Sequence, residues 1–334
     1  MVKKLKVPSQ LARLTRSLDE RKFWKAKEWQ NWALYYSVPI FLELVKLKPE
    51  FQPFLDHWIK LVEGYHVLLL DTISEADAVR AHDLFKEFVA GTEILYSSDA
   101  MRYNIHQFLH VVQSILDWGP AWAHFGYPFE NHNGRIKRCV HAAKGVLRQI
   151  CRYLTMSQAL IVLRENVATV VDNSQVLQIC DDLENRNTKS SVKEGAHRYF
   201  GKSMPCVPSI VQQYNLPEEH TRAYKKLVKD NCVFKSIDIK CYRSDNSFAV
   251  TADGDFIQIK QFIINSHDKI EYTVCRKVEV ANNQNENLRS MKLITNINPH
   301  LIAIETRKLK KLCVVITIEE NSYISAVSNM YHFS

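Results

Sequence analysis

The sequence predicts an α + β fold of two lobes, in which an all-α helical lobe is followed by a small all-β barrel or sandwich. Apolar residues recur at three- and four-residue spacing in the first half of the chain, and from Cys232 onward they alternate with polar residues. The 334 residues include only nine glycines, which suits a helix-rich first part. We therefore expect a basic N-terminal segment at 1–22, a helical domain at 23–184, a linker region at 185–231 and a small β domain at 232–334.

The composition is typical of a globular protein, with 46% apolar and 24% charged residues. Lysine and arginine number 44 against 36 aspartates and glutamates, and the resulting net charge of +8 is compatible with nucleic acid. No apolar run approaches the roughly 20 residues that span a bilayer, and the start lacks an apolar signal region. The eight cysteines form no Cys-x-x-Cys pair. We expect reduced thiols packed as small apolar groups in a soluble, intracellular protein without a membrane partner.

The helical lobe is expected to begin with three helices that bury their apolar faces on one another. The first runs from Phe23 to Leu47, and Pro39 is expected to end or kink it. The second covers Phe54 to Leu70. The third runs from Glu75 to about Tyr96, after a capping-box-like start at Ser74.

A fourth helix, from Asn104 to Trp118, carries His106 and His110 four residues apart and therefore on one face. Two imidazoles at this spacing hold a metal ion if further ligands are supplied, for which His124 and His132 are the candidates. The interpretation that we prefer from the sequence is a pair of core-edge histidines that make hydrogen bonds.

Gly119 and Pro120 end the fourth helix, and an aromatic loop that contains Trp122 follows it. Glu130 is the only acidic residue of this loop. A carboxylate fixed beside aromatic rings binds a metal ion or acts as a base, whereas the simpler interpretation is that Glu130 caps the next helix.

The next helix is expected from Arg135 to Leu154, with an apolar stripe that should be buried and a cationic stripe on another face. The two stripes consist of Ile136, Val140, Ala143, Leu147, Ile150 and Leu154 and of Lys137, His141, Lys144, Arg148 and Arg152. Because no acidic residue lies between Glu130 and Glu165, the cations lack the partners that a solvated helix usually has. The cationic stripe indicates either an anionic partner, most simply phosphate, or an ordinary charged outer face.

The rest of the chain is expected to change from helix to strand. A further helix over Met156 to Leu183 precedes a turn-rich connection, and a short helix is expected over Pro217 to Lys229. Short alternating segments separated by turn residues then predict a small barrel or sandwich, with a hairpin turn at 252–255 and a polar loop at 282–298. The expected strands lie at 234–241, 248–250, 256–262, 270–280, 301–304, 312–318 and 323–326.

Six short segments of the first half of the chain form an ordered set. The three upstream segments are Thr15–Leu18, Trp24–Trp29 and Leu34–Pro39. The three downstream segments are Asn-x-His-x-x-x-His at Asn104, His106 and His110, Gly-Pro followed by Trp at Gly119, Pro120 and Trp122, and Phe-Glu-x-x-Asn-Gly ending at Asn133 and Gly134. This set resembles the C-terminal part of transposases of the CACTA (En/Spm-like) superfamily, over residues 11 to about 154.

The resemblance implies a cut-and-paste DNA transposase with an RNase H-like core, in which three acidic residues hold two Mg²⁺ or Mn²⁺ ions. Glu130 matches the third acidic residue of that family. The cations that would then grip DNA phosphates are Arg135, Lys137, Lys144, Arg148 and Arg152. The family's two catalytic aspartates lie upstream of the segment where this chain begins, so we expect the chain to hold at most one metal ligand, to bind no cofactor and to lack transposition activity.

Three interpretations of function follow. The first is a truncated or domesticated transposase-derived protein that binds DNA non-specifically in the nucleus. The second is a protein-interaction or chromatin-binding module that acts through the β domain, and the third is an incomplete sequence of an active metal-dependent transposase. Salt dependence distinguishes the first two, since phosphate contacts weaken steeply as salt rises.

Overall fold

The computed structural model describes residues 7–11, 14–123, 126, 133–134, 136–170, 191–194, 197–214, 217, 220–230, 232–239, 244–265, 270–281 and 285–329. These residues fall into two compact units. The first unit contains the described parts of Met1–His124 and Ser191–Met330, and the second contains the described part of Phe125–Ser190. The N-terminal helices and the β strands therefore share one unit.

The first unit begins with a helical part. Its helices are α1 (Ala26–Asn31), α2 (Ser37–Leu47), α3 (Gln52–Leu68), α4 (Glu75–Tyr96), α5 (Tyr103–His106) and α6 (Phe108–Trp118). A π-helical turn, Trp32–Tyr36, joins α1 to α2. Of the two outcomes expected at Pro39, an end of the helix is not observed, because the helix continues to Leu47; a π turn lies just before the proline.

Two of the sequence signals for α4 are observed directly. The Ser74 hydroxyl accepts a hydrogen bond from the Asp77 backbone N–H at 3.2 Å, and the Asp77 carboxylate accepts one from the Ser74 N–H at 3.0 Å. This reciprocal pair satisfies two N–H groups at the start of the helix. The buried face of α4 then packs on α3 and α6, where Phe85 stacks on Phe108 with ring centroids 5.5 Å apart.

Eleven strands are present among the described residues, and seven of them form one antiparallel sheet. The strands are β1 (Ser191–Glu194), β2 (His197–Phe200), β3 (Thr221–Tyr224), β4 (Lys226–Lys229), β5 (Cys232–Lys235), β6 (Phe248–Thr251), β7 (Phe256–Asn265), β8 (Ile270–Ala281), β9 (Met291–Glu305), β10 (Leu309–Ile318) and β11 (Asn321–Ala326). The seven-stranded order is β3-β7-β6-β10-β11-β9-β8, and β7 also pairs with β8. That additional pairing closes β6 to β11 into a six-stranded antiparallel barrel.

The barrel interior is filled by apolar side chains from all six strands. Phe248, Val278, Cys313 and Ile324 are its buried members. Because side chains alternate along a strand, β6, β8, β10 and β11 each contribute two residues that lie two positions apart, such as Phe248 and Val250.

The chain also contains helix α7 (Val146–Val170) in the second unit and the short helix α8 (Pro208–Gln213) in the first. Helix α8 packs through its buried Ile210 against β3, β7 and β8.

The four remaining strands form a small sheet in the order β1-β2-β4-β5. Tyr199, Leu227 and Phe234 are its buried members. The region expected to be a linker therefore contains strands β1 to β4 and helix α8. The short helix expected over Pro217 to Lys229 is wrong, because Thr221–Tyr224 and Lys226–Lys229 are strands whose Ala223, Tyr224 and Leu227 are buried.

Helices α2 and α3 cover one outer face of the barrel within the first unit. Val38 and Ile59 belong to a buried cluster that also contains Leu288, Met291 and Tyr323 of the barrel side. The Glu43 carboxylate also accepts a hydrogen bond from the Tyr323 hydroxyl. Burial of large apolar side chains on both sides of this contact stabilises the two parts together.

The architecture confirms the coarse prediction of a helical N-terminal part and a C-terminal antiparallel β part. The polar loop expected at 282–298 is wrong in its second half, since Met291–Glu305 is a single long strand that pairs with both β8 and β11. In the part of the chain described here, no helix is both long and apolar enough to cross a membrane.

Candidate nucleic-acid interface

The second unit carries most of the cations singled out in the sequence. Residues 136–138 are helical, residues 139–145 form a turn, and a long helix, α7, runs from Val146 to Val170. The single helix expected from Arg135 to Leu154 is therefore wrong. Gly145 has a φ of 70°, a left-handed conformation that glycine adopts without steric cost, and α7 starts directly after it.

One side chain, that of Gln149, holds the turn against the first turn of α7. Its amide oxygen accepts hydrogen bonds from the backbone N–H groups of His141 at 2.8 Å and Ala142 at 3.2 Å. Its amide nitrogen donates to the carbonyl oxygens of Ala142 at 2.8 Å and Lys144 at 3.0 Å. Both lone-pair sites and both N–H donors of the amide are used, so the backbone that carries Lys144 is fixed beside α7.

We use the name cationic segment for residues 137–152, whose lysines and arginines are Lys137, Arg138, Lys144, Arg148 and Arg152. All five side chains are exposed, and none pairs with a carboxylate of the described residues. Arg148 and Arg152 lie four residues apart on α7 and so share a face. Lys144 lies four residues before Arg148, in the turn that the Gln149 side chain holds against α7.

Arg138 was not among the residues singled out from the sequence, because a continuous helix would have placed it away from the cationic stripe. With the helix interrupted at 139–145, helical spacing no longer assigns Lys137 and Arg138 to a face of α7. The signal that identifies Arg138 is the absence of acidic residues between Glu130 and Glu165, which applies to every cation in that interval.

Four lysines on the barrel side of the molecule are placed differently. Their ammonium groups lie within 2.7 to 2.9 Å of a carboxylate oxygen in the pairs Lys260–Asp238, Lys277–Asp255, Lys308–Asp253 and Lys311–Asp71. Each of these pairs locally cancels its charge. The cationic segment is thus a region of uncompensated positive charge, whereas these barrel lysines are neutralised.

The apolar stripe expected beside the cations is not uniformly buried. Leu147 is 74% exposed, whereas Val140 and Ile150 are half-buried. The expectation that this stripe is buried is wrong, because Ala143 and Leu147 are exposed and the other four members are only half-buried. Cys139, on the turn between the two helical segments, is buried instead.

Most residues of the three downstream segments lie in the first unit. Asn104, His106 and His110 are exposed on α5 and α6, and the two histidine rings are hydrogen-bonded to each other. Gly119 ends α6 with a φ of 90°, and its N–H donates to the Ile115 carbonyl oxygen at 2.8 Å.

The residues that follow Gly119 turn the chain away from α6. Pro120 precedes the short 3-10 helix Ala121–Ala123, in which the Trp122 indole N–H donates to the Leu70 carbonyl oxygen at 3.0 Å. Asn133 and Gly134 form a helical turn in the second unit.

Glu130 and Arg135 lie outside the described residues, as do His124 and His132. Within the described ranges, no group of three or more His, Cys, Asp or Glu side chains is arranged to hold a metal ion. Mg²⁺ and Mn²⁺ rely on several oxygen ligands, and the described residues group no such set.

Comparison of the chain with protein-family models, with curated proteins and with solved structures found no match. Function is therefore inferred from the charge and geometry of the described residues alone. By these two criteria, the cationic segment is the candidate site.

Proposed function

We propose that this chain binds nucleic acid through the phosphate backbone, without sequence preference, and that the cationic segment binds the phosphates. The observation that carries this proposal is the contrast between two sets of cations. Those of the cationic segment are exposed and unpaired among the described residues, whereas the barrel lysines named above are held by carboxylates. An array of unpaired cations attracts phosphate because binding releases the counterions that DNA holds.

The spacing of the cations suits binding to several phosphates. Arg148 and Arg152 are separated by about one helical turn, or roughly 6 Å along α7, and each DNA strand carries one phosphate per about 3.4 Å of axis, so the two side chains can bind different phosphates. Guanidinium groups bind phosphate oxygens through two parallel hydrogen bonds, which fixes the geometry of each interaction. Such interactions position a duplex but carry no sequence information.

The resemblance of six ordered segments to CACTA transposases supports the same proposal, because those proteins act on DNA. A transposase-derived DNA-binding protein would be expected in the nucleus. The carboxylate of Glu130, if it lies beside the cations, would repel phosphate, but five cations outweigh one anion. We propose binding alone for this chain, without cleavage or strand transfer.

The test is fluorescence anisotropy of a labelled duplex, titrated with the chain at several salt concentrations. The expected dissociation constant lies in the non-specific range of about 10⁻⁴–10⁻⁶ M at physiological salt. The variant Lys144→Ala/Arg148→Ala/Arg152→Ala should bind more weakly. The slope of log affinity against log salt should also fall, by about 0.9 for each phosphate that the variant no longer neutralises.

A charge-matched control separates a defined site from general attraction. The variant Lys260→Ala/Lys277→Ala/Lys308→Ala removes the same number of positive charges from paired positions on the barrel side. It should keep the parent's affinity and salt slope. If the two triple variants lose affinity equally, the cationic segment is not the site. A partner that binds with little salt dependence would instead favour a protein-interaction module.

A further inference from the structure

We propose that His106 and His110 form a two-histidine chelate that binds a divalent transition-metal ion of the Zn²⁺ and Cu²⁺ class. The site lies in the first unit and is independent of the cationic segment. Both side chains are exposed, so an ion can reach them from solvent. The geometry between the two rings carries the proposal.

The distance between the two Nε2 atoms is 3.2 Å. Two imidazole nitrogens that bind one tetrahedral Zn²⁺ at about 2.05 Å each are separated by about 3.3 Å. The two atoms therefore already lie at the separation that a shared ion requires. The ring centroids are 5.0 Å apart and the ring planes make an angle of 68°, so the rings do not stack face to face.

Packing of the two short helices fixes this arrangement on the protein. Val112 and Ile115 of α6 are buried against the α3 and α4 core, which orients the opposite face of α6 toward solvent. The His110 N–H donates to the Gln107 carbonyl oxygen at 3.0 Å, across the joint between α5 and α6. The backbone thus holds the pair in place without any contribution from a metal ion.

In the metal-free protein, the hydrogen bond between the rings requires two different tautomers. One histidine carries its proton on Nε2 and donates it, and the other presents a lone pair on Nε2. Metal binding needs a lone pair on both Nε2 atoms, so the donor ring moves its proton to Nδ1. No proton is lost overall when both rings are neutral, and the ion takes the place of the shared proton.

The donor set determines the class of ion. Imidazole nitrogen suits Zn²⁺, Cu²⁺, Ni²⁺ and Co²⁺, whereas Mg²⁺ and Ca²⁺ require oxygen ligands. Asp117, on the same face of α6, lies about two turns or roughly 10 Å from His110 and accepts a hydrogen bond from Gln113 at 2.8 Å. The described residues thus supply two nitrogens, and water or an added ligand fills the remaining positions.

The test is isothermal titration calorimetry of the full chain with Cu²⁺ and with Zn²⁺, in a buffer that does not bind metals. The variants His106→Gln and His110→Gln each remove one ligand, and His82→Gln removes an exposed histidine of α4 as a matched control. We expect one binding event that is abolished in either single variant of the pair and is kept in the control. Cu²⁺ should bind more tightly than Zn²⁺, following the general order of divalent affinities.

All three replaced histidines are exposed, so the variants should fold like the parent, which circular dichroism checks. Electron paramagnetic resonance of the Cu²⁺ complex should show two coupled imidazole nitrogens in the parent and fewer in each variant. Binding that survives in either single variant, or that disappears in His82→Gln as well, would overturn the proposal.

Discussion

The Glu63 carboxylate of α3 accepts a hydrogen bond from the Ser290 backbone N–H at 2.8 Å, and this interaction links the helical part to the strand side of the first unit. The same oxygen accepts from the Arg289 N–H at 3.0 Å. The other oxygen pairs with Arg80 of α4 at 3.1 Å, and Arg80 in turn donates to the Asn287 carbonyl oxygen. Glu63 is only 2% exposed on its side chain, so it has no access to water as a substitute partner.

We expect Glu63→Gln to lower the free energy of unfolding by about 1–3 kcal/mol, because the amide nitrogen cannot accept the bonds that the carboxylate accepts. Urea denaturation followed by circular dichroism measures this loss. The matched control is Glu87→Gln, which removes a carboxylate that pairs with Lys60 at 2.7 Å but is 57% exposed. That exposed pair should contribute only about 0–1 kcal/mol. Equal losses in both variants would contradict a special role for Glu63.

The second prediction concerns Glu28 and the pH dependence of stability. Hydrogen bonds from the Arg16 guanidinium, outweighing the effect of burial and joined by the Lys25 backbone N–H, lower the pKa of Glu28 from 4.5 to about 2. A group whose pKa is lowered by folding stabilises the protein above its unfolded pKa and loses that effect as the pH falls through its folded pKa. The contribution of Glu28 should therefore be constant above about pH 4.5 and decline between pH 4.5 and 2.

The measurement is the difference in unfolding free energy between the parent and Glu28→Gln, from urea curves at several pH values. At pH 7 we expect a difference of about 1–3 kcal/mol, the usual cost of losing hydrogen bonds to a buried charged group. The difference should shrink as the pH falls below 4.5. A difference that stays constant down to about pH 3, midway through that window, would show that Glu28 acts through packing alone.

Local signals in the sequence predicted much of the fold. The Ser74 capping box and the hairpin turn at Asp253 and Gly254 depend on a few neighbouring residues, and both are found where the sequence placed them. Strand β10 likewise follows the alternation of Leu312 to Ile318. Such features can be predicted from the sequence because their hydrogen bonds are made within a turn or between adjacent strands.

The errors arise where distant residues determine the local conformation. Tyr224 and Leu227 lie in a stretch with charged residues at helical spacing, yet each is buried in a strand by partners in β7 or β2. The break before α7 depends on the left-handed Gly145 and on the four hydrogen bonds of Gln149. Those interactions cannot be deduced from the apolar periodicity or from the composition, so the sequence predicts a single helix for all the cations.

The third prediction tests the role of Gln149 in placing Lys144. Gln149→Ala removes the four hydrogen bonds that hold the turn to α7, so Lys144 must be ordered again when DNA binds. We expect the dissociation constant to rise about fivefold, equivalent to about 1 kcal/mol, because immobilising a flexible lysine costs this much. The salt slope should stay the same, since the variant neutralises as many phosphates as the parent.

The control for this prediction is Gln158→Ala, which changes an exposed glutamine further along α7. It should bind the duplex like the parent. A flattened salt slope in Gln149→Ala would mean that Lys144 no longer neutralises a phosphate in the variant, and an unchanged affinity would mean that the turn does not position Lys144 for binding.

The last prediction uses Cys151 as a reporter within the cationic segment. Its thiol is exposed on α7, directly before Arg152 and three residues after Arg148, so a duplex bound to these arginines should cover it. We expect N-ethylmaleimide, which is uncharged, to label Cys151 readily in the free chain. Cys275 and Cys313 should stay unlabelled, because both are buried and burial raises the pKa of each thiol, that of Cys275 to about 12.

A duplex at about ten times its dissociation constant should slow the labelling of Cys151 about tenfold, because only the unbound chain then reacts. Mass spectrometry of the peptide that contains Cys151 measures the rate. Added salt should restore the rate, since it weakens binding to phosphate. In Lys144→Ala/Arg148→Ala/Arg152→Ala, the same duplex concentration should give little protection. If the parent binds the duplex by anisotropy but Cys151 is labelled at the free rate, the DNA lies elsewhere on the chain and the cationic segment is only a solvated surface.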